Sequence, residues 1–168
     1  MLVLLEGADG SGKTTLCKQL KEFGFNVEPT VSRSETNPYE QWIKLINKGD
    51  AIIDRSFITD LVYRTVDDEK AGNITLEQMC YLLKYCKIIL CDTDSAFEDS
   101  MKRGENNITD KETATKIKDA YKLILTMLGK FTKAEVFTYN WKNQEFTEVT
   151  KFIIYRRQKN GKFDKRIK

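Results

Sequence analysis

The feature that most constrains the fold of this chain is a short apolar segment that leads into a glycine-rich stretch. Residues 2 to 6 read LVLLE, and residues 7 to 14 read GADGSGKT. A short apolar run bounded by glycine predicts a buried β-strand, and the apolar spacing over residues 14 to 23 predicts a helix that ends at Gly24. The chain is therefore predicted to begin with a strand, a tight loop and a helix.

The glycine-rich loop fits the pattern G-x-x-x-x-G-K-[ST], which cradles phosphate groups when it connects a strand to a helix. Its glycines let backbone N–H groups point inward around phosphate oxygens, and the N-terminus of the helix adds positive potential. Lys13 is predicted to bridge the outer phosphates, and the Thr14 hydroxyl to bind Mg²⁺. The loop therefore predicts that the protein binds a nucleoside triphosphate together with Mg²⁺. The predicted nucleotide contacts are Gly7, Asp9, Gly10, Ser11, Gly12, Lys13, Thr14 and Thr15.

The rest of the chain alternates between short apolar runs and amphipathic segments. We predict further strands at 25 to 28, 51 to 53, 87 to 91 and 134 to 139. Predicted helices follow the capping residues Asn37, Thr75 and Ser95, and others span 57 to 66, 111 to 128 and 144 to 155. Strands that alternate with helices favour a three-layer α/β fold, in which a five-stranded parallel sheet is flanked by helices on both faces.

Length and composition narrow the chemistry that this chain can perform. The 168 residues suit one domain, which we place at 1 to 155, and they contain no histidine. Histidine-based catalytic triads and imidazole bases are therefore excluded. The four cysteines show no C-x-x-C spacing, so we expect reduced thiols in the cytoplasm. No apolar run approaches the roughly 18 residues of a membrane span, so we expect no export, no membrane anchor and no membrane partner.

An acid and an arginine follow the third predicted strand, in the sequence Asp54-Arg55-Ser56. In open α/β sheets, ligands bind at the carboxyl ends of the strands. If the third strand lies beside the first, this pair shares an edge with the phosphate loop. Asp54 is then placed to hold a metal-bound water, and Arg55 to bind a phosphate with both arms of its guanidinium. The alternative is a structural ion pair at the start of the next helix.

Taken together, five segments resemble the thymidylate kinases in order and position. They are residues 5 to 15 (LEGADGSGKTT), Glu28-Pro29, Asp54-Arg55-Ser56, Arg103-Gly104-Glu105 and Ala120-Tyr121. The resemblance covers residues 1 to about 155, and the acid at position 9 is its most specific element. It implies a P-loop kinase fold with ATP as the phosphoryl donor. A weaker likeness to deoxynucleoside kinases rests on Glu28 and on Asp54-Arg55-Ser56, which is similar to their Glu-Arg-Ser.

The resemblance also implies roles for individual residues. Asp9 would meet the sugar hydroxyl of the acceptor, Arg55 the acceptor phosphate, and Asp54 the magnesium shell. Arg103 would begin a short lid near residues 103 to 111, and Asn140 and Trp141 would pass near adenine. The predicted catalytic residues are Lys13, Asp54, Arg55 and Arg103, and the predicted metal ligands are Thr14 and Asp54. The predicted acceptor-binding residues are Asp9, Glu28, Arg33, Arg55, Phe57 and Tyr121.

The chain departs from the thymidylate kinase pattern where the base of the acceptor would bind. That family has a long helical insertion before the Asp-Arg segment, and the insertion supplies an aromatic residue and an arginine for the base. Here only 24 residues separate Pro29 from Asp54. The candidates to replace the aromatic ring are Tyr39, Trp42, Phe57 and Tyr63, and the candidate to replace the cation is Arg33, with packing or surface roles as the alternatives.

Three functions are compatible with these residues. The first, which we expect, is transfer of the ATP γ-phosphoryl group to a deoxynucleoside 5′-monophosphate, with conversion of dTMP to dTDP as the first candidate. The second is a deoxynucleoside kinase, in which Glu28 takes a proton from the nucleoside hydroxyl. The third is a nucleotide-dependent module that binds nucleic acid through a basic tail at 156 to 168, which holds seven Lys or Arg and one Asp.

The expected partners follow from the first function. They are a nucleotide substrate and, if the chain self-associates, a second copy in a homodimer. We do not expect nucleic acid to bind the basic tail. The shortened form of the family is typical of a viral or otherwise reduced genome, so the cytoplasm of a host cell is included in the expected location.

Overall fold

The structure of the chain is a computed structural model that describes residues 1–31, 37–67, 74–104 and 110–155. Arg33, residues 105–109 of the expected lid, and the basic tail at 156–168 lie outside these ranges. None of the helices in the described part of the chain is both long enough and apolar enough to cross a membrane. In chain order the elements are β1 (Leu2–Glu6), α1 (Lys13–Glu22), β2 (Val27–Pro29), α2 (Pro38–Lys48), β3 (Ala51–Asp54), α3 (Phe57–Val66), α4 (Leu76–Leu83), β4 (Cys86–Cys91), α5 (Ala96–Lys102), α6 (Lys111–Thr132), β5 (Glu135–Tyr139) and α7 (Phe146–Ile154).

The five described strands form one parallel sheet in the order β2-β3-β1-β4-β5, with β1 at its centre. Leu5 of β1 pairs with Asp54 of β3, and Glu6 of β1 pairs with Leu90 of β4. The predicted five-stranded parallel sheet is therefore confirmed, as is the predicted position of the third strand beside the first. Because parallel strands end at one edge, the segments that follow β1, β3 and β4 meet at the carboxyl edge of the sheet.

Helices cover both faces of the sheet, which explains why β1 and β4 are buried along their whole length. Successive residues of a strand point to opposite faces. Leu2 and Leu4 pack in a cluster with α2, α3, α4 and α6, whereas Val3 and Leu5 pack with α1 and α7. The sheet and its two helical covers form the three layers that were expected.

Local sequence explains where several helices begin. The side chain of Asn37 accepts a hydrogen bond from the Glu40 N–H at 3.3 Å, and Thr75 forms a capping box with Gln78. Both predicted helix starts are confirmed. Ser95 precedes α5 as predicted, but its hydroxyl does not cap the helix. It donates to the Asp99 carboxylate at 2.6 Å instead.

Several predicted boundaries differ from the observed ones by one or a few residues, and the structure explains two of these differences. β2 begins at Val27 rather than at residue 25, because the Phe25 N–H still donates to the Leu20 carbonyl of α1 at 2.9 Å. α6 continues past residue 128 to Thr132. It ends where Lys133 adopts a left-handed conformation with φ 57°.

Candidate active site

The phosphate loop connects β1 to α1 and requires glycine at two close contacts. Gly10 has a φ of 81°, and a Cβ there would collide with the backbone carbonyl of Ala96 at the start of α5. Gly12 has a φ of 93°, and a Cβ there would come within 2.5 Å of Cδ1 of Trp141. Positive φ values are costly for residues with a side chain. The loop is therefore packed closely against α5 and against the indole of Trp141.

Lys13 opens α1, and its side chain folds back into the phosphate loop. Its Nζ donates to the carbonyl oxygens of Gly7 at 2.6 Å and Ala8 at 2.7 Å. Only 6% of Lys13 is exposed. Burial, followed by the nearby Arg55 guanidinium, lowers the pKa of Lys13 to about 8. The ammonium group thus lies inside the loop in a poorly hydrated position.

Asp54 ends β3 and lies close to the first turns of α1. Burial and the Asp54 carboxylate together raise the pKa of the Cys17 thiol to about 12. Cys17 lies three residues after Thr14 on α1, and residues at this spacing share a helix face. Asp54 and Thr14 therefore face the same region at the carboxyl edge of the sheet.

The predicted metal ligands fit a magnesium ion. Oδ1 of Asp54 is buried and has no hydrogen-bond partner among the described residues. Within the described ranges, no group of three or more His, Cys, Asp or Glu side chains is placed to hold a metal ion. Mg²⁺ does not need such a group, because it is bound through one or two protein oxygens together with substrate phosphates and water. Asp54 and the Thr14 hydroxyl supply oxygens of this kind.

Arg55 links the phosphate loop to the end of β3. Its guanidinium forms an ion pair with the Asp9 carboxylate. Its backbone is left-handed, with φ 69°, and its N–H donates to the Leu5 carbonyl at 3.0 Å. Burial acts to lower the pKa of Arg55, but Asp9 and two neighbouring tyrosines raise it above its ordinary value. The site therefore contains a permanent positive charge beside the phosphate loop.

A pocket lies beside Arg55, between α2, α3 and α4. Phe57 and Trp42 form an aromatic wall, with ring centroids 5.2 Å apart and planes at 88°. From the next turn of α3, Arg64 Nε donates to Asp60 Oδ2 at 2.9 Å, and both side chains line the pocket. An apolar wall with an adjacent donor and acceptor suits a planar polar ligand.

Phe57 was predicted as an acceptor-binding residue and does line this pocket. Asp60 and Arg64 were missed. An acid and a base four residues apart are typical of the solvent-facing side of a helix, so their spacing carries no sign of a pocket. Asp60 and Arg64 line a pocket because α2 and α4 pack around α3.

Glu6 is a third residue that sequence reasoning missed. Its carboxylate is fully buried and accepts hydrogen bonds from Ser56 Oγ and from the Thr59 hydroxyl, the latter at 2.6 Å. The Tyr121 hydroxyl lies 2.9 Å from Thr59 Oγ1. Since Thr59 donates its one proton to Glu6, Tyr121 donates to Thr59. Burial raises the pKa of Glu6, although the two hydroxyl donors oppose this shift.

Two predicted acceptor-binding residues have other contacts in the structure. Tyr121 is 1% exposed, and its hydroxyl is bonded to Thr59. Glu28 accepts hydrogen bonds from Lys48 Nζ at 2.6 Å and from Asn26 Nδ2 at 2.9 Å, and these donors lower the pKa of Glu28. Glu28 is not among the described residues that line the pocket. Contact of Tyr121 or Glu28 with an acceptor stays a prediction.

The residues predicted to pass near adenine form a turn after β5. The side chain of Asn140 accepts a hydrogen bond from the Lys142 N–H at 3.1 Å, and the half-exposed indole of Trp141 packs on Gly12. Lys142 Nζ forms an ion pair with Asp99 of α5 at 3.0 Å. The turn is therefore fixed against both the phosphate loop and α5, while its contact with adenine stays a prediction.

Arg103 lies at the C-terminal cap of α5 and is exposed. Residues 105–109, which belong to the expected lid, follow it closely in sequence and lie outside the described residues. Thr15 is exposed on the first turn of α1, and Ser11 is buried in the loop. The catalytic role of Arg103 stays a prediction.

The arrangement of the sheet, the helices and the loop is the fold of the P-loop nucleotide kinases. The structure is similar to that of the YorR protein from Bacillus subtilis in complex with phosphorylated GDP, with a TM-score of 0.71 and 22% identity over 92% of this chain and 94% of that chain. It is also similar to deoxyadenosine kinase from M. mycoides with bound dCTP, with a TM-score of 0.58 and 18% identity over 91% of this chain and 97% of that chain. No protein-family model and no curated protein sequence matches the chain. At these identities the similarities establish the fold alone.

Proposed function

We propose that the protein is an ATP-dependent nucleoside monophosphate kinase that acts on a deoxynucleoside 5′-monophosphate, with dTMP as the first candidate acceptor and dTDP as its product. The observation that carries this proposal is the ion pair between Arg55 and Asp9. It fixes a guanidinium between the phosphate loop and the pocket lined by Phe57. Phosphoryl transfer requires two anionic groups that are held in line while their charges are neutralised, and a guanidinium between the loop and the pocket supports such a role for Arg55.

The phosphate loop supplies the donor side of the reaction. Backbone N–H groups of the loop and the Lys13 ammonium bind the phosphates of ATP. Thr14 and Asp54 would hold Mg²⁺, which would neutralise charge on the outer phosphates. Trp141 offers a half-exposed aromatic face beside Gly12, which supports binding of the adenine ring there.

A 5′-monophosphate acceptor needs positioning more than deprotonation. Its second pKa is about 6, so its attacking oxygen is already anionic at neutral pH. Arg55 can bind such a phosphate through two parallel N–H bonds, and Asp9 keeps the guanidinium in place for that contact. The reaction therefore has no need of histidine, which the chain lacks.

The pocket beside Arg55 is the proposed site for the acceptor base. Phe57 and Trp42 offer an aromatic wall, while Asp60 accepts and Arg64 donates hydrogen bonds. The N–H and C=O groups on one edge of thymine complement such a pair. Because other bases also present a donor next to an acceptor, the preference for dTMP rests on the resemblance to thymidylate kinases.

A deoxynucleoside kinase is the second candidate function, and the structural similarity to deoxyadenosine kinase supports it. A nucleoside hydroxyl has to lose its proton, and Glu28 is the residue predicted to accept it. Lys48 and Asn26 hydrogen-bond to Glu28 and lower its pKa, so Glu28 is a weaker base than an ordinary carboxylate. This observation favours the monophosphate as the acceptor.

The test is to incubate the protein with Mg-ATP and each deoxynucleoside or deoxynucleoside 5′-monophosphate in turn, and to measure the formation of ADP. We expect turnover of dTMP above that of the other monophosphates, and no turnover of thymidine. In the Arg55→Ala variant, KM for the monophosphate should rise by about tenfold or more because a charge-assisted contact is lost, while KM for ATP changes little. Lys130→Ala, which removes an exposed cation of α6, should behave like the wild type.

Other outcomes assign other functions. If the protein phosphorylates thymidine but not dTMP, it is a deoxynucleoside kinase. ATP hydrolysis that depends on added nucleic acid and needs no acceptor would favour the nucleic-acid-binding module. An effect of Arg55→Ala confined to ATP would place Arg55 on the donor side and remove the main support for the proposal.

A further inference from the structure

Arg55 holds a backbone conformation that residues with a side chain rarely adopt. Among the described non-glycine residues, only Arg55, with φ 69°, and Lys133, with φ 57°, have a positive φ. Lys133 is exposed and caps the C-terminus of α6, a position where left-handed residues are common. Arg55 lies within the candidate active site, where such a conformation persists only if surrounding contacts hold it. The contacts that hold Arg55 in this conformation are therefore part of the candidate site.

Two consecutive residues of β1 accept hydrogen bonds from the backbone bend at Arg55 and Ser56. The Leu5 carbonyl accepts a hydrogen bond from the Arg55 N–H at 3.0 Å, and the Glu6 carboxylate accepts one from the Ser56 hydroxyl. The same Ser56 oxygen accepts from the Ile58 N–H at 3.1 Å and so caps α3. The left-handed residue is thus fixed at its own N–H and, one residue later, at a side chain.

Glu6 is well suited to act as a fixed support. It is 0% exposed, and its second oxygen accepts a hydrogen bond from Thr59 at 2.6 Å. Thr59 in turn lies 2.9 Å from the Tyr121 hydroxyl of α6. A buried carboxylate bonded in this way cannot turn without leaving polar groups unpaired. Thr59 and Tyr121 therefore support the position of Glu6 from α3 and α6.

We infer that Glu6 is a positioning residue, which holds the left-handed bend at Arg55 through the Ser56 hydroxyl and so aims the Arg55 guanidinium at Asp9. The kinetic consequence rests on the proposed function, in which Arg55 binds the acceptor phosphate. The structural consequence does not rest on it. Glu6 acts from the side of the sheet opposite to the metal ligand Asp54, because Leu2, Leu4 and Glu6 share one face of β1.

The test combines kinetics with a double-mutant cycle. Ser56→Ala removes the hydroxyl, Glu6→Gln removes the charge of its acceptor, and the two changes are also combined. We expect each single variant to raise KM for the monophosphate by roughly ten- to one-hundredfold, as displaced binding groups do, with KM for ATP within about twofold of the wild type. The double variant should be no worse than the more damaged single variant, because both changes break one contact.

A matched control separates this role from loss of a helix cap. Thr75→Ala also removes a capping hydroxyl, at the start of α4, and Thr75 is exposed. We expect Thr75→Ala to lower Tm by less than Ser56→Ala does, because Ser56 also bonds the buried Glu6 carboxylate, and to leave KM for the monophosphate unchanged. If Ser56→Ala and Glu6→Gln lower Tm and leave KM unchanged, Glu6 is a structural residue and the inference is wrong. Additive effects on KM in the double variant would overturn it as well.

A second readout does not depend on turnover. Crystal structures of the wild type and of Ser56→Ala should show a positive φ at Arg55 in the first and its loss, with loss of the Asp9 contact, in the second. A positive φ and an intact Asp9 contact in the variant would overturn the inference. If the wild type phosphorylates no nucleotide, the proposed function fails while these structures still decide the role of Glu6.

Discussion

Asp54, the last residue of β3, lies directly opposite Leu5 of β1 in the parallel pairing of the two strands. The phosphate loop begins two residues after Leu5, and Arg55 follows Asp54 at once. One further hydrogen bond, from the Arg55 N–H to the Leu5 carbonyl at 3.0 Å, extends the contact past the last strand pair. The loop and the acid–arginine pair therefore start from one point on the sheet, and their relative position is set by strand register.

The Asp54 carboxylate should determine the Mg²⁺ concentration that the protein needs for turnover. Its buried Oδ1 has no hydrogen-bond partner among the described residues. In Asp54→Asn the shape is kept but the negative charge is lost. Because even outer-shell partners of a metal contribute 10- to 100-fold to its affinity, the Mg²⁺ concentration for half-maximal turnover should rise by at least about tenfold.

A titration of turnover against Mg²⁺ measures this effect. Asp50→Asn is the matched control, because Asp50 is exposed and pairs with the N-terminal ammonium. The control should titrate like the wild type. An unchanged Mg²⁺ requirement in Asp54→Asn would remove Asp54 from the metal site.

Lys13 should be required for turnover. Its buried ammonium lies 2.6 Å from the Gly7 carbonyl, inside the loop that would hold the transferred phosphate. Lys13→Met keeps the length and removes the charge, and we expect turnover to fall by about 100-fold or more, as for other preorganised donors. Lys18→Met, on the exposed side of α1, is the control. Near-normal turnover in Lys13→Met, at saturating substrates, would contradict the role given to Lys13.

The activity should decline at alkaline pH. Burial and the Arg55 charge lower the pKa of Lys13 from 10.5 to about 8. The free protein thus loses its ammonium above about pH 8, so kcat/KM for ATP should fall from there by about tenfold per pH unit. A profile of kcat/KM that stays flat from about pH 7.5 to 9.5 would contradict this assignment.

The lowered pKa of Lys13 also affects stability. Activity should fall as the pH rises, whereas the contribution of Lys13 to stability should rise. Between about pH 8 and 10.5 the unfolded chain binds more protons at Lys13 than the folded protein does. The contribution of Lys13 to the free energy of unfolding therefore increases with pH in this window. In urea unfolding from about pH 8 to 10.5, the free energy of unfolding of the wild type should rise relative to that of Lys13→Met. A difference between the two proteins that stays constant or falls over this range would contradict the assignment.

Gly12 and Gly24 separate backbone strain from a steric clash. Their φ values are 93° and 96°, but a Cβ on Gly12 would meet the Trp141 ring, whereas a Cβ on Gly24 would meet nothing within 4 Å. Both alanine variants should lose about 1 kcal/mol or more of stability from strain. Only Gly12→Ala should also raise KM for ATP, by about tenfold or more, because the Trp141 turn is displaced. Equal ATP kinetics in the two variants would show that the Trp141 contact is not used.

Short sequence patterns predicted the strands and the loop that form the candidate site. The apolar run that ends at Glu6, the glycine loop and the strand that delivers Asp54 each occupy a few consecutive residues. Their alternation with helices predicted the parallel sheet. The position of the third strand beside the first was a premise of the predicted site, and the pairing of Leu5 with Asp54 confirms it.

Contacts between distant residues could not be read in the same way. The bond between Glu6 and Ser56 joins positions 50 residues apart, and neither residue type signals its partner. Lys48 pairs with Glu28 across 20 residues and changes the environment of that carboxylate. Such pairings depend on how helices pack on the sheet, which apolar periodicity leaves open.

The chain has two tryptophans, and the fold places one at each half of the candidate site. Trp42 is 2% exposed in the wall of the pocket, whereas Trp141 is 44% exposed beside the phosphate loop. A shielded indole emits at shorter wavelength than a hydrated one. The fluorescence of Trp42 and that of Trp141 should therefore fall in different parts of the emission spectrum. The protein thus carries intrinsic fluorescent probes for both of its proposed substrates and needs no attached dye.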